Sequence, residues 1–192
     1  MTKWDKFFDE KIREIAQEKN ILDIGGGFHF QKQLKKYQLL FQGKNYKILD
    51  KELAYQPDIV ADIQKMPLAN ESVDAIICKA VLQHIPEPHQ AVKEIYRVLK
   101  KEGKCLVYVP FLYPYHAKEG VYKDYYRYTK DGLEYLFRKF SSIEICPIRG
   151  NLETILNFIP FRIIKVFVPL AGFVDRFLSF KQVSGYNVFL VK

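Results

Sequence analysis

An open α/β sheet, mostly parallel and covered by helices on both faces, is the fold class that this sequence predicts. Three observations carry that reading. Short apolar runs alternate with segments of helical periodicity. The runs are almost continuously apolar, as strands buried on both faces must be. The first of them, "NILDIGGGFHF", passes directly into three glycines that open the next segment.

Residues 4 to 18 are expected to be helical, because Phe7, Phe8, Ile12, Ile15 and Ala16 recur at helical spacing between charges. Ile21 to Ile24 is the first strand, and Phe28 to Phe41 a helix after the glycines. "YKILD" is a second strand, closing on Asp50, and "DIVADI" a weaker third. "VDAIIC" is the fourth, bounded by the turn-like "LANES". Glu87 to Lys100 reads as a strong helix, with Ala91, Val92, Ile95, Val98 and Leu99 on one face and Gly103 as its stop. "KCLVYVP" is the fifth strand. A helix over "KDGLEYLFRKF" and two late strands, "IEICPI" and "YNVFLV", complete a seven-stranded sheet. One domain over 1–192 is expected at this length, with a front half 1–110 and a back half 111–192.

The net charge of +8 favours an anionic partner such as nucleic acid, anionic lipid or a phosphorylated substrate. Cys78, Cys105 and Cys146 are odd in number, well spaced and set in apolar runs. That argues against a disulfide framework and against zinc, so no metal site is expected and a reducing cytoplasm fits best. The first twenty residues have no apolar core of a signal peptide. No run approaches the roughly 18 apolar residues of a spanning helix.

A strand, glycines and then a helix place backbone N–H groups at the carboxyl edge of the sheet, where open α/β folds bind ligands. Gly25, Gly26 and Gly27 are followed by Phe28, His29 and Phe30, so the third glycine of a dinucleotide fingerprint is missing. No Walker lysine follows either. Asp50, closing the second strand, is placed to accept both hydroxyls of a ribose. This much points to an adenosine and does not choose among cofactors.

The stretch "ADIQKMPLANESVDAIICKAVLQHIPEPHQAVKEIYRVLKKEGKCLVYVP" adds the rest. Asp23, Gly25 and Gly27; Asp50; Asp62 with Pro67; Leu82, His84 and Pro86; and Arg97, Leu99 and Gly103 stand in order. Over residues 18 to 110 the chain resembles the class I S-adenosylmethionine-dependent methyltransferases, small-domain type, which have a Rossmann-like fold. The resemblance implies S-adenosylmethionine as cofactor and a set of roles. Gly25, Gly26 and Gly27 would admit its methionine part, and Asp50, with Lys51 beside it, would hold the ribose. Asp62 and Ile63 would read the adenine. Asp23 would anchor the loop or the cofactor's ammonium, and Lys79, ending the fourth strand, is counted with this group. His29 replaces a frequent third glycine, which implies a wider turn. "KKEGK" replaces the usual ending of the helix and alters a surface turn.

Methyl transfer needs alignment and exclusion of water, and a hydroxyl acceptor also needs a base. The insertion 111–130, "FLYPYHAKEGVYKDYYRYT" at its centre, carries Tyr113, Tyr115, Tyr122, Tyr125, Tyr126 and Tyr128 with His116, Asp124 and Arg127. Tyrosines present flat faces with a polar tip, which suits a sugar or aromatic acceptor, and Arg127 suits a phosphate or carboxylate. His116 is the expected base, with Asp124 orienting it; His84 is a second candidate or a loop-fixing residue. The pattern "P-x-H…D-Y-x-R-(Y/F)-T…G-L" is more loosely similar to methyltransferases of bacterial surface-glycan pathways.

The second insertion, 151–180, is strongly apolar but broken by Pro160 and Pro169 and interrupted by Arg162, Lys165, Asp175 and Arg176. Short amphipathic helices are expected, with Phe173, Phe177 and Phe180 on one face. They would lie in an anionic membrane interface, cap the acceptor pocket or form a homodimer contact through 152–180. The leading reading is methyl transfer to a small-molecule or lipid-linked acceptor, a glycan among the candidates. A nucleic-acid methyltransferase, a non-catalytic S-adenosylmethionine-binding protein and, more distantly, a dehydrogenase are the alternatives. Nucleic acid is disfavoured because the aromatics come with apolar helices and not with a basic stripe.

Overall fold

A computed structural model describes residues 2–159, 167–175 and 182–192. Helix α1 (Lys3–Ile15) leads into β1 (Asn20–Ile24), followed by β2 (Asn45–Asp50), β3 (Ile59–Val60) and β4 (Val73–Lys79). Helix α2 (Pro88–Val98) precedes β5 (Leu99–Pro110), and α3 (Lys130–Leu136) precedes β6 (Ser142–Ile148). Helices α4 (Asn151–Phe158) and α5 (Val168–Val174) come before β7 (Gly185–Val191). The seven strands form one sheet in the order β3-β2-β1-β4-β5-β7-β6. β7 runs antiparallel to both β5 and β6, and the other pairings are parallel.

The strand alternation divides the core in two. Leu22, Ile24, Ile76, Cys78, Cys105 and Val107 pack on one face against Ala91, Val92, Ile95 and Val98 of α2 and Leu133 of α3. Ile21, Ala75, Ile77 and Leu106 pack on the other against Phe8, Ile12 and Ile15 of α1 and Leu34, Tyr37 and Phe41. Ile12, Ile15, Ile76 and Ile77 are completely enclosed, and each such side chain contributes roughly 1.5–3 kcal/mol relative to exposure. The strand order reverses between β1 and β4, and their carboxyl ends place the glycines and the β4–α2 loop side by side. α1 is closed at its start by a reciprocal pair, in which the Thr2 hydroxyl accepts from the Asp5 N–H and the Asp5 carboxylate faces Thr2.

Four boundaries differ from expectation. The segment after the glycines is a 3₁₀ helix over Lys32–Phe41, and Phe28–Gln31 are loop. Phe30 sits in the left-handed region at φ 49°, and the Gln31 side chain turns back to donate to Gly26 O at 2.5 Å, so the helix starts late. The third strand shrinks to two residues, which frees Asp62 for a turn. α2 stops at Val98, not Lys100. Gly103 lies within β5 rather than stopping the helix: the pairing with β4 skips from Val73–Leu99 to Ala75–Lys104, and the surplus residues bulge out with Glu102 at φ 60°. A Cβ at Gly103 would lie 2.7 Å from Lys100 O, so glycine is required there for close approach. α3 ends at Leu136, ahead of the expected Phe140.

Two of the expected helices of the second insertion are present, as α4 and α5. Pro160, Arg162, Lys165, Arg176, Phe177 and Phe180 lie outside the described residues. Among the described residues no helix is long and apolar enough to cross a membrane.

Candidate active site

A cleft of about 350 Å³ opens at the carboxyl ends of β1, β2, β4 and β5. Gly25, Gly27, Asp50, Lys51, Asp62, Ile63, Lys79, His84 and His116 all line it, so the first and second halves of the chain contribute to one cleft. Gly26, Asp23, Asp124 and Arg127 are not among the lining residues but adjoin them.

The glycine loop follows from β1. The Gly25 N–H donates to Leu49 O at 2.8 Å, which ties the turn to β2. Gly25 and Gly27 have φ of 65° and 63°, a region that costs a side-chain-bearing residue roughly 1–2 kcal/mol. A Cβ at Gly25 would meet Val81, and one at Gly26 the Asp23 carboxylate. The loop is therefore a cradle that only glycine permits. Asp23, 2% exposed, lies under it and accepts from the Tyr46 hydroxyl at 2.6 Å. Burial pushes the Asp23 carboxyl up to about 7, against the opposing pull of Tyr46 and Lys79. Lys79 Nζ meets Gln33 Oε1 at 2.5 Å.

Asp50 ends β2, where one carboxylate oxygen accepts the Glu52 N–H, and the residue lines the cleft. Asp62 accepts the Gln64 N–H at 2.8 Å. The loop that follows Asp62 is pinned to α2 by Glu94, which accepts the Met66 N–H, and by Arg97, which donates to Leu68 O and Met66 O. Glu94 and Arg97 also pair with each other at 2.7 Å. Arg97 thus holds the loop that carries Asp62 and is not itself in the cleft.

The opposite wall is made of two loops sewn together. Main-chain Gln83 O accepts the N–H groups of Tyr125 and Tyr126. The hydroxyls of Tyr126 and Tyr128 donate to Pro86 O and Leu82 O, each at 2.8 Å. His84 Nδ1 lies 2.6 Å from Lys123 O. On this wall His116 Nδ1 is 3.2 Å from Asp124 Oδ2, and its main-chain N–H donates to the same oxygen at 2.9 Å. Arg127 forks onto both Asp124 oxygens at 2.6 Å. The Arg127 guanidinium holds the Asp124 carboxyl well below the ordinary carboxylate range. His84 and His116 meet edge to face at 4.9 Å, and Tyr122 lies 4.3 Å from His84.

His84, His116 and Asp124 also form the one group among the described residues whose ligand atoms lie within 4.8 Å of one another. Both Asp124 oxygens are taken by Arg127, which commits the carboxylate to a cation already in place.

The comparisons agree with this geometry. Residues 23–107 match a family model described as a methyltransferase domain, the segment from Asp23 through β5. The ubiquinone/menaquinone biosynthesis C-methyltransferase UbiE of Rickettsia prowazekii is 29% identical over 141 residues, 66% of this chain and 49% of that protein. The demethylmenaquinone methyltransferase of Thermotoga maritima is 28% identical over 166 residues, covering 82% and 71%. A crystal structure of an S-adenosylmethionine-dependent methyltransferase from Archaeoglobus fulgidus superposes with a TM-score of 0.63 over the whole of both chains at 13% identity, a likeness of fold. Residues 23–107 thus match a methyltransferase domain, and the comparisons support a class I S-adenosylmethionine-dependent methyltransferase. Its cofactor is S-adenosylmethionine, and the cleft suits it: a glycine cradle that any Cβ would fill, with a carboxylate at the end of β2. The chain spans about half the length of the UbiE relative.

Of the thirteen residues given cofactor or catalytic roles from the sequence, nine line the cleft and four do not; Tyr113 and Tyr122 of the tyrosine cluster line it as well. Gln31, Tyr55 and Gln83 also line the cleft and were not singled out. Gln83 sits inside "LQHIP", at the variable position beside His84, and its neighbourhood was the only signal for it.

Proposed function

We propose that this domain transfers the methyl group of S-adenosylmethionine to a small-molecule acceptor bearing a hydroxyl, with His116 as the base. The His116–Asp124 pair on the wall of the same cleft as the glycine loop carries this reading. The bound cofactor supplies an electrophilic methyl group on a sulfonium. In this reading residues 1–110 are the cofactor half and 111–192 the acceptor half of one domain. Gly25, Gly26 and Gly27 admit the methionine part, Asp50 takes the ribose hydroxyls beside Lys51, and Asp62 and Ile63 face the adenine. Asp23 and Lys79 support the loop from beneath.

On the acceptor side, His116 Nδ1 donates to Pro114 O at 3.1 Å with Asp124 Oδ2 3.2 Å away, leaving Nε2 for the acceptor proton. Arg127 keeps Asp124 ionised, so the imidazolium formed by that transfer has a counter-charge. Tyr113 and Tyr122 line the cleft and shield it from water. Removing a proton from a ring hydroxyl raises electron density both on that oxygen and on the ring carbons beside it. O-methylation and the C-methylation named for the quinone-pathway relatives therefore begin with the same step.

Release of S-adenosylhomocysteine, with reduced demethylmenaquinone and 3,4-dihydroxybenzoate as acceptors, tests the reading. Turnover with either, lost in His116→Ala, is expected; full turnover in that variant sinks the assignment of the base.

A lipid-linked acceptor reached from an anionic membrane surface is the second reading. Ile155, Phe158, Phe167, Leu170 and Phe173 are all 48% exposed or more, on or beside the paired helices α4 and α5. Large apolar side chains on a chain of net charge +8 favour that surface.

A further inference from the structure

We propose that the side-chain oxygen of Gln83 is a specificity-determining contact, accepting a hydrogen bond from an O–H or N–H of the methyl acceptor. The inference rests on the methyltransferase reading above and names the part of the acceptor that this wall recognises.

Gln83 is fully buried on the cleft wall. Among the described residues its Oε1 has no hydrogen-bond partner, whereas its Nε2 lies 3.0 Å from His84 Nε2. The orientation of that amide follows from its neighbours. Lys123 O only accepts, so His84 Nδ1, 2.6 Å away, carries the proton of that contact. Burial and the neighbouring His116 hold the His84 imidazole below its ordinary value, which favours the neutral ring. In a neutral ring protonated at Nδ1, Nε2 is a lone pair and needs a donor. Only the amide NH₂ of Gln83 supplies one, so its oxygen is the end left over.

Main-chain N–H bonds from Tyr125 and Tyr126 to Gln83 O and the Tyr128 hydroxyl bond to Leu82 O hold the residue in place. A buried acceptor without a partner is unfavourable, and in a site built this tightly it selects a ligand that brings a donor. The same oxygen rejects an acceptor whose hydroxyl is replaced by an ether. His84 here is a positioning residue: it sets which end of the Gln83 amide faces the ligand.

Phenol and anisole are the probes, titrated into His116→Ala protein saturated with S-adenosylhomocysteine, so that the single O–H of phenol has no imidazole to donate to. Phenol is expected to bind about tenfold tighter than anisole, the effect of one hydrogen bond to a buried acceptor. In the same protein, phenol and not anisole should shift the side-chain amide resonances of Gln83. Gln83→Met in that background should abolish the preference while leaving S-adenosylhomocysteine affinity within twofold. Equal binding of the two probes, including no binding of either, overturns the inference. So does a preference that survives in Gln83→Met, or a loss of S-adenosylhomocysteine affinity in that variant, which would place the donor on the cofactor's ammonium. Failure of S-adenosylhomocysteine to bind the wild-type protein counts instead against the methyltransferase reading itself.

Discussion

His116 Nδ1 lies 3.2 Å from Asp124 Oδ2, and the carboxylate that it faces has no exposed side-chain surface. Arg127 holds that carboxylate from the other side at 2.6 Å. The Nδ1 of the His116 imidazole is committed to Pro114 O and Asp124, and in the proposed reading Nε2 serves the acceptor. General-base catalysis of this kind contributes about 10²–10⁴-fold. His116→Ala is expected to lower turnover by at least the smaller factor and to leave S-adenosylhomocysteine affinity unchanged in calorimetry.

Asp124→Asn removes the charge that pairs with Arg127 and orients His116. Its folded carboxyl titrates below the ordinary range, so its contribution to stability is complete above about pH 4 and is lost as pH falls below that. The melting temperatures of wild type and variant should differ at pH 7 and converge in acid. A gap that stays constant into acid would show that the carboxylate is not the source of the difference.

Asp50→Ala tests the cofactor site. Loss of two hydrogen bonds to a charged acceptor corresponds to about 2–4 kcal/mol, or a 30-fold or greater loss of S-adenosylhomocysteine affinity. Unchanged affinity would remove the ribose from Asp50.

Asp23 has the opposite pH signature to Asp124. Its folded value of about 7 lies above the unfolded one near 4, so its contribution is full below about pH 4 and is lost as pH rises through about 7. Above that, the buried charge costs a few kcal/mol. Asp23→Asn keeps an acceptor for the Tyr46 hydroxyl and should be more stable than wild type at pH 8 and close to it at pH 4. Thermal melts across that range decide the matter, and a pH-independent difference counts against a buried ionising group.

Leu170→Glu combined with Phe173→Glu is expected to abolish flotation with vesicles containing phosphatidylserine, where the wild-type chain floats. If the wild type does not float, or if the double variant floats equally well, the membrane reading fails.

Local pattern was sufficient for much of this molecule. Apolar runs such as Ile21–Ile24 and Val73–Cys78 could be read as strands because both faces of a central strand exclude water. The glycines were legible because a strand turning sharply at a sheet edge needs positive φ and close approach. Asp50 was singled out by its place at the end of the second strand, whereas Asp62 was singled out only by the family resemblance and lies in a turn beyond β3. Boundaries were less legible. Gly103 has the look of a helix stop, yet it belongs to a bulged strand, since pairing of Leu99 with Val73 overrides the end of the α2 pattern.

By itself, then, the sequence determined an α/β sheet with a glycine cradle and a carboxylate beside it, because periodicity and turn chemistry act over a few residues. Only the tertiary structure decided which side chains meet. Gln83 became legible when Lys123, some forty residues away, set the tautomer of His84 and left one end of an amide unpartnered. Asp124, already the expected partner of His116, proved to be held on both oxygens by Arg127, a counter-ion that on sequence alone suited an acceptor phosphate or carboxylate. Hydrogen bonds and ion pairs between distant segments depend on geometry that spacing along the chain does not encode.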